Sequence, residues 1–346
     1  MRQSETNRCL QNHQDPSQEP IWRGPNRQGG CQMSEIIADL PFSDYQARPE
    51  VNNSSLHDLD EERRDAGCPA KYYHNHVLKE KDHSHADTPA LSFGRALHSF
   101  CLTPKMFLDE YVVEDEQLYQ RILAEANEEQ LKKKRKPSPK FSKALGAWKS
   151  HVQQVKADGK ELIDQKAYAQ IIAMTERIKD PELALDKRTP EIFEKELDCE
   201  LSCFADLPDG RGNHVACKAR IDALHEGLHE PGAITTIYDL KSLAEWNPGR
   251  SISQWGWWVQ AAFYSDIVQA CGLSSGTPRF AWIFTKKVAP YESMLHYAEP
   301  ALIQAGRVAY QGHLQTIIDC RKSGEWPGHG PVTYPHALEQ LINFGG

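Results

Sequence analysis

Three short runs in the second half of the chain constrain its fold more than anything else in the sequence. LDCELSCFAD (Leu197–Asp206), HVACKARIDAL (His214–Leu224) and ITTIYDLKS (Ile234–Ser242) are rich in alternating or β-branched residues, and each predicts a strand. Asp209-Gly210 with Gly212 and Asn213 supplies turn chemistry between the first two, and Glu230-Pro231-Gly232 helps to close the second hairpin. Apolar residues then recur near a period of 3.6 from Trp255 to Cys271, predicting an amphipathic helix, and RFAWIF (Arg279–Phe284) predicts a further strand. A last helical stretch, Pro300 to Lys322, ends where GEWPGHGP supplies Gly and Pro.

Upstream the periodicity is helical. Ser54 to Leu78 and Ser92 to Leu102 carry apolar residues at helical intervals, with Ser54 and Ser92 as expected N-caps. Glu-, Lys- and Gln-rich helices are expected between Glu114 and Lys187, broken by KKKRKPSPK at Lys132–Lys140. Only seven of the first 33 residues are apolar, too few to offset the entropy of ordering them, so residues 1–40 are expected to form a disordered tail. The remainder, 41–346, is expected to be one domain with a helical part over 41–190 and the sheet with its closing helices over 191–346.

A net charge of −8 excludes a global basic field, so a nucleic-acid site has to be a local patch. The longest uncharged run, Ser251 to Tyr264, falls short of the ~18 apolar residues that a spanning helix needs, so no membrane partner is expected. The amino terminus lacks an apolar signal stretch, and nine scattered cysteines lack disulfide-scaffold spacing. A reducing cytoplasm is the expected compartment.

Residues two apart on a strand share a face, so Asp239 and Lys241 project together. The same rule puts Lys218, Arg220 and Asp222 on one charged face of the preceding strand. If these strands pair antiparallel, Asp222 and Asp239 approach closely, and two like charges at short range need a cation to stay ionised. Mg²⁺ is the expected ion, with Mn²⁺ as a substitute. Carboxylate oxygens and a phosphate oxygen suit it, and it lowers the pKa of a bound water that can attack a phosphodiester. Lys241 would offset charge building in the transition state. Gln260 and Tyr264 lie four apart on one helix face, and both can donate to a phosphate or a base edge. Lys218 and Arg220 are the expected basic contacts to DNA.

The run Asp222 … Asp239-Leu240-Lys241 … Gln260-Ala-Ala-Phe-Tyr264 resembles the PD-(D/E)xK nuclease superfamily, in the branch of exodeoxyribonuclease VIII, lambda exonuclease and RecB-type nucleases. CKARIDAL, YDLKS, VQAAFY and GEWPG each resemble segments of that branch. Glu200-x-Ser202-x-Phe204-x-Asp206 resembles its first core strand, and GRALH resembles its histidine-bearing helix. The likeness runs from about Pro41 to about Phe344. It implies a restriction-endonuclease-like αβββαβ core, an α/β fold with a mixed central sheet flanked by helices. It also implies Asp222, Asp239 and the Leu240 carbonyl as metal ligands, His98 as a ligand or phosphate contact, and Lys241 as the catalytic lysine. Glu200 is a further ligand or a structural acid, and Gln260 and Tyr264 hold the substrate strand. Two departures are a long insertion, HEGLHEPGAITTIY, between the aspartates and the absence of the proline of the superfamily's name.

The activity implied is a Mg²⁺-dependent double-strand DNA exonuclease, 5′ to 3′ by resemblance, that leaves single strands for recombination. Double-stranded DNA ends, a single-strand annealing protein and a homo-oligomeric ring are the partners implied. Two rival readings stand beside it: a structure-specific endonuclease on the same core, and a non-catalytic DNA-binding protein with a vestigial or zinc site built on Cys199, Cys203, Cys217 and His214. Cys68-Pro69 matches the first element of cluster-bearing relatives, but the late cysteine trio is missing, so no iron–sulfur cluster is expected. The basic run Lys132–Lys136 is expected on the surface, where it could track a DNA backbone. Trp255, Trp257 and Trp258 are expected to include core anchors, with one left to stack on a splayed base.

Overall fold

The computed structural model describes residues 34–61, 67–79, 88–114, 139–226 and 234–330. The basic run Lys132–Lys136 and residues 1–33 lie outside them. A six-stranded sheet forms the centre, ordered β1 (Ser34–Ile37), β4 (Asp198–Pro208), β5 (His214–His225), β6 (Thr236–Leu243), β7 (Arg279–Lys286) and β8 (Ser293–Tyr297). Neighbours are antiparallel except β6 and β7, which run parallel. Parallel strands need a crossover, here α9 (Pro248–Gln254) and α10 (Trp257–Ala270). A short parallel pair, β2 (Tyr111–Val113) and β3 (Glu161–Ile163), stands apart. This is the mixed α/β architecture expected from the sequence.

Each face of the sheet is covered by helices. On one, α10 and α11 (Pro300–Ser323) pack with the amino-terminal turns α2 (Asn53–Leu56) and α3 (Pro69–Tyr72) over Ile221, Ile237, Phe280, Trp282 and Phe284. On the other, α4 (Pro89–Leu102), α7 (Gln165–Lys179) and α8 (Arg188–Phe193) cover Ala223, Tyr238, Leu240, Ala281 and Ile283. The remaining helices are α1 (Phe42–Ala47), α5 (Pro104–Glu110) and α6 (Pro139–Ala157). With helices on both sides, β6 is buried along most of its length, as a central strand must be.

Several expectations shift. Ser34–Ile37, expected in the tail, pairs with β4 as the edge strand, with Ser34 opposite Ala205 and Ile37 opposite Ser202. The described parts of Ser54 to Leu78 are short helical turns on either side of residues 62–66, and the second set starts afresh at Pro69 behind the extended Cys68. The first of these turns is capped by Asn52, whose Oδ1 accepts the Ser55 N–H at 2.8 Å, rather than by Ser54. Likewise α4 starts at Pro89 behind Thr88, one turn before Ser92. The helix α10 is buried almost all round, not amphipathic. Against it α11 brings Gly306 so near that a Cβ there would lie 2.3 Å from the Trp258 carbonyl oxygen. After Gly324 ends α11 in the left-handed conformation, Trp326 stacks on Tyr72 and Tyr73 with ring centroids 5.8 and 5.0 Å apart. Among the described residues no helix is long and apolar enough to cross a membrane.

Candidate active site

The antiparallel ladder between β5 and β6 runs from His225 opposite Thr236 to Ala223 opposite Tyr238 and then stops. The next pair in that register is Asp222 and Asp239, so the two acids stand where the strands part. In place of a backbone partner, the Leu240 N–H donates to Asp222 Oδ2 at 2.9 Å. The opening is lined from three sides. His98, on α4, brings Nδ1 to 3.3 Å from Asp222 Oδ2. Glu200, on β4 across from Asp222, has a positive φ of 54°, a strained conformation for a residue with a side chain. Its carboxylate is held by Arg220 Nε at 2.6 Å.

His98, Glu200 and Asp222 together offer three ligand atoms within 4.8 Å of one another. Asp239 stands beside this trio and is 1% exposed. Lys241 Nζ lies 2.9 Å from its Oδ1 and 2.8 Å from its Oδ2, and Gln260 Nε2 donates to Oδ1 at 3.2 Å. Lys241 also lies 5.5 Å from the centre of the Trp257 ring. A cavity of about 1260 Å³ is lined by His98, Glu200, Asp222, Lys241 and Trp257 and bordered by α1, α4 and α9, while Asp239 and Gln260 are buried outside its lining.

Electrostatics follow from burial and from these pairs. Burial raises Asp239, the neighbouring Asp222 adds to the effect, and Lys241 opposes it; the result is about 6. Burial also acts to raise Asp222, but His98, Lys241 and the Leu240 N–H outweigh it and hold the carboxyl below its ordinary value. For His98 burial disfavours the charge, yet Asp222 wins and pushes it up to about 9. Burial and Asp222 raise Glu200 against the pull of Arg220. A run of acids held at different protonation by one another is the usual setting of a cation site.

The donors present fit a divalent ion. Two carboxylates and an imidazole converge, and Asp239 Oδ2 is buried with no hydrogen bond beyond its ion contact with Lys241. A ligating histidine has to be neutral, so His98 would hold such an ion only in its neutral form, without the proton that Asp222 favours there.

Other expected contacts fall elsewhere. Lys218 is a correction: it is 3% exposed, and its ammonium donates to the backbone carbonyls of Tyr45 and Arg48, each at 2.6 Å, closing the carboxyl end of α1 rather than facing DNA. Arg220 lines the cavity but is committed to Glu200 and, through Nη1, to the Leu40 carbonyl at 2.6 Å, so its expected role at DNA gives way to a tether. Gln260 orients Asp239 rather than reaching into open space. Tyr264 lines the cavity, and burial raises its hydroxyl well above the ordinary value. Leu240 lines the cavity, and its N–H donates to Asp222 Oδ2. Cys203 and Cys217 are buried in the sheet. The sequence reading missed three cations of the cavity, Arg95, Arg250 and Lys287. Arg95 precedes His98 by three residues in GRALH, hence on the same helix face, which is the signal that could have found it. Lys287, just past β7, carried no such signal.

A search of curated proteins finds no match. Among solved structures, a candidate exonuclease from Eubacterium rectale superposes with a TM-score of 0.49 and 14% identity, over 88% of this chain and 98% of that one. The family described as PDDEXK-like domain of unknown function (DUF3799) matches residues 53–335, which include His98, Glu200, Asp222, Asp239, Lys241 and Gln260. With a mixed sheet whose two central strands part at a pair of aspartates beside a lysine, the chain belongs to this PDDEXK-like family, a branch of the PD-(D/E)xK nuclease superfamily.

Proposed function

We infer that the protein is a divalent-metal-dependent deoxyribonuclease that acts at double-stranded DNA ends and leaves single strands. The observation that carries this reading is the opening between β5 and β6, where the His98–Glu200–Asp222 trio and Lys241 line one cavity and the buried Asp239 pairs with that lysine. His98, Glu200, Asp222 and Asp239 would hold Mg²⁺ or Mn²⁺, which when bound supplies Lewis-acid activation of water and phosphate. Lys241 places a positive charge where the phosphoryl oxygens gain negative charge, and Asp239 and the Trp257 face hold that ammonium in place. Gln260 fixes Asp239 from behind, so neither acid nor amine has to reorganise. Partial burial of this set lowers the local dielectric and strengthens each interaction.

Action at ends, 5′ to 3′ polarity, a closed ring threaded by DNA, a single-strand annealing partner and a role in recombination rest on the sequence resemblance. The deciding experiment is digestion of a linear duplex and its closed circular form, in Mg²⁺ and in chelator. The reading expects loss of the linear form alone, and only with metal. Equal attack on both forms would establish the endonuclease reading instead.

A further inference from the structure

Of the three tryptophans gathered at the start of α10, two are anchored: Trp257 and Trp258 pack against the core. Trp255 does not. It is 46% exposed, and among the described residues it is the one exposed tryptophan. An indole left half in water forgoes the burial its neighbours obtain, and its position is nonetheless fixed. The Trp255 N–H donates to the Ser251 carbonyl at 3.0 Å, and Gly256 follows in the left-handed conformation at φ 66°, making a tight elbow between α9 and α10. The elbow faces the catalytic cavity, whose wall Trp255 shares with Arg250, Gln254 and Lys241. Trp257, two residues on and so at most ~7 Å away along the backbone, lies 5.5 Å from Lys241 Nζ.

A half-exposed aromatic surface on the wall of the cavity that holds Lys241, with the exposed Arg250 on the same wall, matches one ligand chemistry. Flat bases stack on an indole whatever their sequence, and the phosphates between them meet a cation. A paired base inside a duplex presents no free face. We propose that Trp255 is a stacking platform for an unpaired base of the strand being cut. This inference rests on the deoxyribonuclease reading and names the form of its substrate.

The test uses the full chain in chelator, where binding is read without cleavage, by anisotropy of a labelled 12-nucleotide single strand and of the same length of abasic backbone. Wild type should prefer the base-bearing strand by about 5- to 100-fold, the range that one stacked base contributes. Trp255→Ala should erase most of that preference and leave abasic binding unchanged, while Trp255→Phe should restore it. Equal affinity of wild type for both strands, or a preference that survives Trp255→Ala, overturns the platform. Failure of the underlying reading is separate: neither strand binds, and no DNA is cleaved when Mg²⁺ is added.

Discussion

Replacing Lys218 with methionine separates two roles that the sequence cannot distinguish. A lysine at DNA would be dispensable for folding, and its loss would lower the salt slope of DNA binding by about one. The structure gives it another task. Its ammonium makes two bonds of 2.6 Å, to the Tyr45 and Arg48 carbonyls, a weaker one of 3.4 Å to Gln46, and lies 4.7 Å from the centre of the Tyr45 ring. Charge-assisted bonds contribute ~1.5–3 kcal/mol each, so the two short ones amount to roughly 3–6 kcal/mol. Burial of the charge offsets about half, leaving an expected loss of about 2–3 kcal/mol on substitution, since methionine keeps most of the stem's packing. Urea denaturation should show a midpoint lowered by about 1 M with an unchanged slope. The pH dependence is a second signature. Burial lowers Lys218 from 10.5 to about 8, with Glu50 opposing, so between these values the unfolded chain binds a proton that the native one does not. Stability from this group therefore rises with pH across that window. Wild type should gain on Lys218→Met between pH 8 and 10.5, at no more than about 1.4 kcal/mol per pH unit. An unchanged midpoint together with a reduced salt slope would refute the capping role.

Two more outcomes follow from the packing and the site. Asp222→Asn should weaken Mn²⁺ binding at least 10-fold by calorimetry, because it removes the acid that meets both His98 and Glu200; unchanged affinity would place the ion elsewhere. Gly306→Ala would stabilise an open helix by ~1 kcal/mol, but here the Cβ meets the Trp258 carbonyl oxygen at 2.3 Å and Ala262 Cβ at 2.8 Å. A loss of roughly 1–3 kcal/mol is expected, and a raised melting temperature would contradict that close approach.

The central strands were legible because alternation and β-branching are local properties, and β5, β6 and β7 fall within a few residues of HVACKARIDAL, ITTIYDLKS and RFAWIF. So was the pairing of Asp239 with Lys241, fixed by a two-residue spacing on one strand. What alternation cannot show is what lies over a face. It put Lys218 with Arg220 and Asp222, yet α1 and the Leu40 segment before it fold across part of that face and take Lys218 and Arg220 as partners. The strand β8, five residues of SMLHY, has too few positions to display a period. For α10 the apolar residues on most sides were the sign of a central helix, and the reading as amphipathic gave too little weight to its alanines, which allow the close approach of α11.

The edge strand Ser34–Ile37 has a practical consequence for anyone trimming this protein. Composition invites a cut near residue 41, yet such a shortened chain would strip β4 of its neighbour over four residues and leave a row of unsatisfied amides on a long, apolar border. It would also remove Leu40, the carbonyl anchor of the guanidinium that steadies Glu200. Truncates beginning at 34 should stay monodisperse, whereas those beginning at 41 should clump through that bared border.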